Sequence, residues 1–268
     1  MAESPSGTLP RSQGRAAFVF SHPNHELAVL GYIKRARPSL LFLTGHEDRA
    51  RRAETVAGLS SIGIEDSPFF LDNDEEAFYQ RILGKDMAFF EAMAETIAHW
   101  LAEIRPDRVF CDAIEFYHPM HDLVVPLVLR AVRLSGVEAE IFEVPILAQG
   151  GPSQRCRLQT VPEYRASDLK LFELDDGTAA AKLAVARDIY LHVKGYLKER
   201  AGIDVERLTV ADVRTERFIG PVRGICVPAS PEAIRYQWRG AMLRDQGTIK
   251  DVIRHDRHYL PIARHLAA

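Results

Sequence analysis

Residues 16–26 read AAFVFSHPNHE, a short apolar run that stops at a serine, a histidine and a proline. Five apolar residues before a polar turn are typical of a buried strand that ends at the edge of a sheet. Apolar residues then recur at helical spacing, at Leu27, Leu30 and Ile33. The stretch therefore predicts a strand, a polar turn and a helix, which is the opening unit of an α/β domain.

The same alternation of strands and helices continues along the chain. Further strands are predicted over residues 39–44, 108–112 and 139–144. Helical periodicity predicts helices over residues 47–62, over residues 74–104 with a break near Gly84, and over residues 122–134. Strands that alternate with helices predict an α/β fold with a Rossmann-like, mostly parallel sheet flanked by helices.

The second half of the chain has a different pattern. It predicts antiparallel strands over residues 155–161 and 168–174 and helices over residues 179–198 and 232–266. We expect one α/β domain over residues 15–268, in which residues 15–145 form the core sheet with the site and residues 146–268 form a smaller C-terminal elaboration. Residues 1–14 contain Ser, Pro, Gly and Gln without an apolar run, which is typical of a disordered leader.

Composition excludes several classes of partner. The net charge of the 268-residue chain is −3, so no global basic field favours nucleic acid. No run approaches the roughly 18 apolar residues that a membrane span needs. The three cysteines, Cys111, Cys156 and Cys226, form no close pair, which disfavours a disulfide framework or a thiolate zinc site. We expect a soluble, cytoplasmic protein that binds a small molecule; its oligomeric state does not follow from the sequence.

Two pairs of histidines follow predicted strands. His22 and His25 lie directly after the first strand, and His118 and His121 lie shortly after the strand at residues 108–112. Ligands of parallel sheets bind beyond the carboxyl ends of the strands, so both pairs are expected at the same edge. Neutral imidazole is a common ligand of zinc, and a catalytic zinc site typically has three protein ligands and an open position. The pattern predicts a divalent metal site, with zinc preferred.

Each motif also has a structural alternative. Asn24 and Asp122 are good helix caps, and histidine is tolerated in turns. One motif alone would favour that capping role. Two motifs at one edge of the sheet favour a metal site instead.

The two motifs resemble those of the LmbE-like, or PIG-L, family of zinc-dependent N-deacetylases. The hallmarks of that family are Ala-His-Pro-Asp-Asp-Glu after the first strand and a later His-Pro-Asp-His. Here the counterparts are SHPNHE at residues 21–26 and HPMH at residues 118–121. The resemblance covers residues 15–145. It implies that the metal ligands are His22, His25 and His121 and that His118 stabilises the oxyanion.

The chain departs from the family pattern at three positions. His25 stands in place of a ligand aspartate, which is compatible with a site of three histidines. Asn24 stands in place of the general-base aspartate, and a carboxamide does not take up a proton near neutral pH. Met120 replaces an aspartate that would orient a neighbouring histidine. Either another carboxylate has replaced the base, or the ordinary deacetylation has been lost. The candidate carboxylates are Asp112, Glu115 and Glu26, with Asp122 one step away.

The expected function is that of a metal-dependent hydrolase of an amide or N-acyl C–N bond on a small polar, amino-sugar-like substrate. The alternative is a metal-binding relative whose activity is lost or changed, and iron is as compatible as zinc with three histidines. A group of aromatic and basic residues at Arg235, Tyr236, Trp238 and Arg239 would suit a cover for the cleft or recognition of an anionic or sugar substrate. An interface or core role for this group is an equal alternative. The tail histidines His255, His258 and His265 predict a solvated helix face.

Overall fold

The computed structural model describes residues 7–8, 14–45, 49–146, 167–226, 228 and 234–268. Its strands are β1 (Gly7–Thr8), β2 (Ala16–Phe20), β3 (Ser39–Thr44), β4 (Phe69–Asn73), β5 (Arg108–Asp112), β6 (Glu140–Val144), β7 (Leu169–Glu173) and β8 (Thr215–Ile219). Its α-helices are α1 (Leu30–Ala36), α2 (Arg49–Ser61), α3 (Glu75–Gly84), α4 (Met87–Ile104), α5 (Pro119–Ser135), α6 (Asp176–Asp188), α7 (Leu191–Tyr196), α8 (Val210–Val213), α9 (Arg235–Asp245) and α10 (Leu260–Ala267). In the described part of the chain, none of the helices combines the length and the apolar character needed to cross a bilayer.

The eight strands form one sheet in the order β1-β7-β8-β6-β5-β2-β3-β4. The strands from β6 to β4 are parallel to one another, and β8 runs antiparallel to both β6 and β7. This architecture confirms the predicted α/β class with its mostly parallel sheet. β2 is central and pairs with β3 and β5, so the carboxyl ends of β2 and β5 lie side by side.

The sheet is buried on both faces because alternate side chains of each strand point to opposite sides. Phe18 and Phe110 stack with ring centroids 4.6 Å apart on the face that α1, α2 and α6 cover. Val19 and Cys111 lie on the other face, which α3, α4, α5 and α10 cover. The continuous apolar strands in the sequence reflect this double burial.

A buried ion pair joins the C-terminal half to the helix that follows the SHPNHE motif. Lys182 Nζ of α6 lies 2.7 Å from Glu216 Oε1 of β8 and donates a hydrogen bond to Ala28 O. Glu216 accepts hydrogen bonds from the backbone N–H groups of Gly31 and Tyr32. A Cβ on Gly31 would collide with a methyl group of Leu174, so any larger residue there requires the Leu174 side chain to move. The C-terminal elaboration thus fixes the position of α1 behind the site.

Several element boundaries differ from the predicted ones. α5 begins at Pro119, earlier than the predicted residue 122, because proline is favoured in the first turn of a helix. The predicted helix over residues 179–198 is broken after Asp188. β4 and β8 were not predicted, and β7, which was predicted as an antiparallel strand, pairs antiparallel with β8. The predicted strand at residues 155–161 lies outside the described residues.

The predicted leader contributes a short strand to the sheet. Residues Gly7–Thr8 form β1, which pairs in parallel with β7. The expectation of disorder therefore does not extend to these two residues. Residues 1–6 and 9–13 lie outside the described part of the chain.

Candidate metal centre

The first motif is anchored by Asp112, which ends β5 next to the end of β2. Asp112 is completely buried, and its Oδ2 accepts hydrogen bonds from the backbone N–H of Ser21, at 2.7 Å, and from the Ser21 hydroxyl, at 2.5 Å. Its Oδ1 lies 2.9 Å from His25 Nδ1. A carboxylate that holds one ring nitrogen of a histidine orients the other nitrogen for a ligand. The predicted catalytic candidate Asp112 is thus engaged in positioning His25.

Asn24, which the sequence motif aligned with a general-base aspartate, is bonded to helix α2. Its backbone has a positive φ of 77°, and its N–H donates to Thr55 Oγ1 at 2.9 Å. Its carboxamide exchanges two hydrogen bonds with Arg51: Nδ2 donates to the backbone O at 3.2 Å, and Oδ1 accepts from Nε at 3.1 Å. The adjacent Glu26 accepts a hydrogen bond from the Tyr190 hydroxyl at 2.7 Å. Asn24 and Glu26 therefore connect the motif to the surrounding scaffold.

The second motif lies on the first turn of α5. Asp122 Oδ1 accepts hydrogen bonds from the N–H groups of Glu115 and Phe116, at 3.0 and 3.2 Å, and so holds the loop between β5 and α5 against the helix. Asp122 is fully buried, and burial raises the pKa of its carboxyl well above the usual range. This loop geometry places His118 and His121 at the end of β2.

The structure brings all four histidines together. The ring centroid of His121 lies 5.2 Å from that of His22, 4.5 Å from that of His25 and 4.3 Å from that of His118. One ring nitrogen each of His22, His118 and His121 lies within 4.8 Å of the other two. The sequence predicted His22, His25 and His121 as the ligand set. Two members are common to both sets, and the geometry adds His118 as a third donor.

The environment of these rings suits metal ligation. Burial, followed by the nearby charge of Arg51, lowers the pKa of His22 well below its usual value. Burial, followed by the charges of His118 and His25, does the same for His121. Both rings are therefore neutral near pH 7 and offer lone pairs. His118 Nδ1 is buried and forms no hydrogen bond with any described residue. Neutral, converging imidazoles are a donor set that fits a divalent transition metal.

Glu75 is the carboxylate that sequence reasoning missed. It begins α3, and its oxygens lie 3.6 Å from His118 Nε2 and 4.0 Å from His22 Nδ1. The Tyr79 hydroxyl donates to Glu75 Oε1 at 3.2 Å and also contacts His118 Nε2. A hydrogen bond from His118 lowers the pKa of Glu75. The sequence contains no signal for this role, because an acidic residue in the first turn of a helix is a common capping feature.

The predicted candidate Glu115 is placed differently. Its side chain is buried, and Oε2 accepts a hydrogen bond from the backbone N–H of Ile146 at 2.9 Å. Glu75, in contrast, has a side chain that is 44% exposed and borders the cavity beside the histidines. Of these two carboxylates, Glu75 faces the space that a substrate would occupy.

A cavity of about 390 Å³ opens beside the four histidines. Apolar and aromatic side chains also line it, among them Ile146, Tyr117 and Tyr196. Arg235 and Arg239 of α9 line it as well. The structure therefore combines a histidine cluster, one carboxylate and basic side chains around one space.

The tail histidines are remote from this cavity's lining. His255 and His258 are buried, and His255 Nδ1 lies 2.9 Å from the Tyr236 hydroxyl. The expectation of a solvated face is therefore wrong for these two residues, because α10 packs against α5 and the turn before it packs against α3. His265 is half-exposed and pairs with Glu91 at 2.9 Å.

Comparison with known proteins places the chain by its fold. No protein-family model and no curated protein sequence matches it. The crystal structure of the A40926 pseudoaglycone deacetylase Dbv21 matches with a TM-score of 0.52 and 16% identity, over 78% of this chain and 97% of that one. A deacetylase triple mutant of the teicoplanin biosynthetic pathway matches with a TM-score of 0.47 and 14% identity, over 76% and 96% of the two chains. The chain thus has a deacetylase-like α/β fold.

Proposed function

We propose that this protein is a divergent LmbE-like, metal-dependent hydrolase that removes an acyl group from the nitrogen of a small, amino-sugar-like substrate. The observation that carries the proposal is the convergence of four histidines from two distant motifs, beside a cavity at the carboxyl ends of β2 and β5. The fold shared with a pseudoaglycone deacetylase supports the same class of reaction.

The proposed ligands are His22, His25 and His121. Asp112 supports His25 in this role, because it holds Nδ1 and directs the tautomer that leaves Nε2 as the donor. A second assignment replaces His25 by His118 and is favoured by the short separation of the ligand atoms. A bound zinc ion would supply Lewis acidity toward the acyl carbonyl and increase the acidity of water. The donor set accepts iron equally well.

In the first assignment His118 acts on the substrate. Its Nδ1 has no partner among the described residues, and in the doubly protonated ring an Nδ1–H would donate to the acyl oxygen as negative charge develops there. On the other side of the ring, Nε2 is held by Tyr79 and Glu75. These contacts fix the orientation of the imidazole before the substrate arrives.

Glu75 accepts the proton of the attacking water in this proposal. Asn24 cannot do so, and the carboxylates of Asp112 and Glu115 are engaged with other groups. Glu75 borders the cavity, and its Oε2 lies 4.0 Å from His22 Nδ1. The same carboxyl group can then return the proton to the leaving amine, as general acid–base catalysis requires.

The test is a metal analysis of the purified protein combined with an assay for acetate release from N-acetylglucosamine and its derivatives. We expect about one zinc or iron ion per chain, loss of activity with a chelator and recovery when the metal is restored. His121→Ala should lose the metal and the activity. His99→Ala, at an exposed position of α4, is the matched control and should retain both.

Two outcomes would contradict the proposal. Full metal content in His121→Ala would exclude the assigned centre. A metal-loaded wild type that releases no acetate from any of these substrates would favour metal binding without hydrolysis. The attachment of Asn24 to α2 is the observation that supports this second function.

A further inference from the structure

Helix α9 covers one side of the cavity. The backbone N–H of Arg235 donates to Phe116 O at 2.7 Å, which fixes the start of α9 on the loop before His118. On another face of the helix, the Tyr236 hydroxyl lies 2.9 Å from buried His255 Nδ1. Residues four apart share a helix face, and Arg235 and Arg239 both line the cavity. The geometry thus separates an anchoring face of α9 from a basic face.

The two arginines have no acidic partner in the part of the chain that the structure describes. Both side chains are partly buried. Within the described residues, the one hydrogen bond from either side chain is that of Arg239 Nη1 to the Tyr117 hydroxyl, at 3.4 Å. Glu75 is the one acidic residue among the described residues that line the cavity, and it is held by Tyr79 and His118. Two guanidinium groups therefore face this space without an ion pair to any carboxylate of the described residues.

This local charge is opposite in sign to that of the whole chain, which is −3. Arg51 of α2 also lines the cavity, and it donates hydrogen bonds to Asn24 Oδ1 and Pro23 O. Partly buried positive charge of this kind attracts anions and is costly to maintain without a ligand. Paired guanidinium groups match the geometry of carboxylate and phosphate oxygens.

We propose that the substrate carries an anionic group, a carboxylate or a phosphate, and that Arg235 and Arg239 bind it while the acyl group faces the histidines. The inference rests on the proposed function for the identity of the acyl group. Apolar and aromatic side chains between the two ends, including Ile146 and Tyr196, contact the body of the substrate. The arginines set specificity and take no part in bond cleavage.

The test measures binding separately from turnover. Isothermal titration uses three probes that share an N-acetyl sugar: neutral N-acetylglucosamine, N-acetylglucosamine 6-phosphate and N-acetylmuramic acid. We expect at least one of the anionic probes to bind about tenfold tighter than the neutral probe, because tenfold corresponds to about 1.4 kcal/mol, which one hydrogen bond between charged groups can supply. The relative affinities of the phosphate and carboxylate probes distinguish the two anionic groups.

Variants assign this preference to α9. Arg235→Gln and Arg239→Gln should each weaken binding of the preferred anionic probe about tenfold and leave the neutral probe unchanged. Arg239→Lys, which keeps the charge, should retain more affinity than Arg239→Gln. Arg244→Gln is the matched control on the same helix, since Arg244 pairs with Asp245 away from the cavity lining. Circular dichroism confirms that each variant is folded.

The proposal is overturned if neither anionic probe binds more tightly than N-acetylglucosamine, or if the glutamine variants weaken all three probes equally. Charge-selective binding without acetate release supports the anion site and contradicts the hydrolase. Acetate release without charge-selective binding supports the hydrolase and contradicts the anion site. The two proposals therefore fail separately.

Discussion

The two histidine motifs lie at the same edge of the sheet and are held in different ways. In the first motif, Ser21 and His25 are bonded to Asp112, Asn24 is bonded to α2, and Glu26 is bonded to Tyr190. These contacts connect the turn to three separate parts of the scaffold. The first motif is therefore a rigid support as well as a source of ligands.

The second motif is attached by Asp122 and leaves its histidines facing the cavity. Asp122 holds the preceding loop, whereas the polar contacts of the His118 side chain with described residues are to Glu75, which borders the cavity, and to Tyr79. His121 forms no hydrogen bond with another described residue. The difference implies that substitutions around the first motif act through stability and ligand orientation, and that substitutions around the second act on turnover.

The largest expected effect is on turnover, at Glu75. Glu75→Gln removes the proposed proton acceptor while keeping the size of the side chain, so kcat should fall about 10²- to 10⁴-fold with the metal still bound. Glu76→Gln, at the neighbouring exposed position of α3, should leave kcat unchanged. Steady-state acetate release and metal analysis provide the measurements. Equal kcat values for both variants would remove Glu75 from the mechanism.

A smaller effect is expected on metal affinity, at Asp112. Asp112→Asn weakens the group that orients His25, and loss of such a supporting contact typically reduces metal affinity about 10- to 100-fold. Competition with a chromophoric chelator measures this change, and a thermal melt of the metal-free protein reports any loss of stability. Unchanged affinity would mean that His118, and not His25, completes the ligand set.

The next effect is on stability alone, at Tyr190. Tyr190→Phe removes the hydroxyl that donates to buried Glu26 Oε1, and an unsatisfied buried polar group costs about 1–3 kcal/mol of the free energy of unfolding. Metal content should not change. Tyr196→Phe, at an exposed position, should alter stability by less than about 0.5 kcal/mol. Denaturant titration checks both values. Metal loss in Tyr190→Phe would show that the Tyr190–Glu26 hydrogen bond supports the metal site as well as stability.

The smallest effect is expected at Asn24. An aspartate there would keep its oxygen beside Arg51 Nε but would lose the Nδ2 donor to Arg51 O. The new carboxylate would remain paired with Arg51, so the gain in kcat should stay well below the ~10²-fold that a general base supplies. Acetate release by Asn24→Asp measures the gain. A rise of that size would identify position 24 as the site of a general base whose carboxylate has been replaced by the Asn24 carboxamide.

Much of the core fold was predictable because its signals are local. β2, β3 and β5 have the predicted bounds, since apolar runs before polar turns depend only on neighbouring residues. The break between α3 and α4 was also predicted and occurs at Lys85, where φ is 52°. β4 was missed although a short apolar run, Phe69 to Leu71, precedes polar residues there, and β8 has no such run. β8 is an antiparallel strand of the elaboration, and its buried Glu216 is satisfied only by Lys182 and by the N–H groups of α1.

The sequence by itself determined the α/β class and the meeting of the two histidine motifs, because parallel strands bring their carboxyl ends to one edge regardless of loop details. Only the tertiary structure decided which other groups join them. Glu75 reaches His118 from the first turn of α3, and Arg235 and Arg239 reach the cavity because the loop before His118 fixes α9. These contacts join segments far apart in the chain, so no local periodicity encodes them. Packing and the pairing of buried polar groups select them.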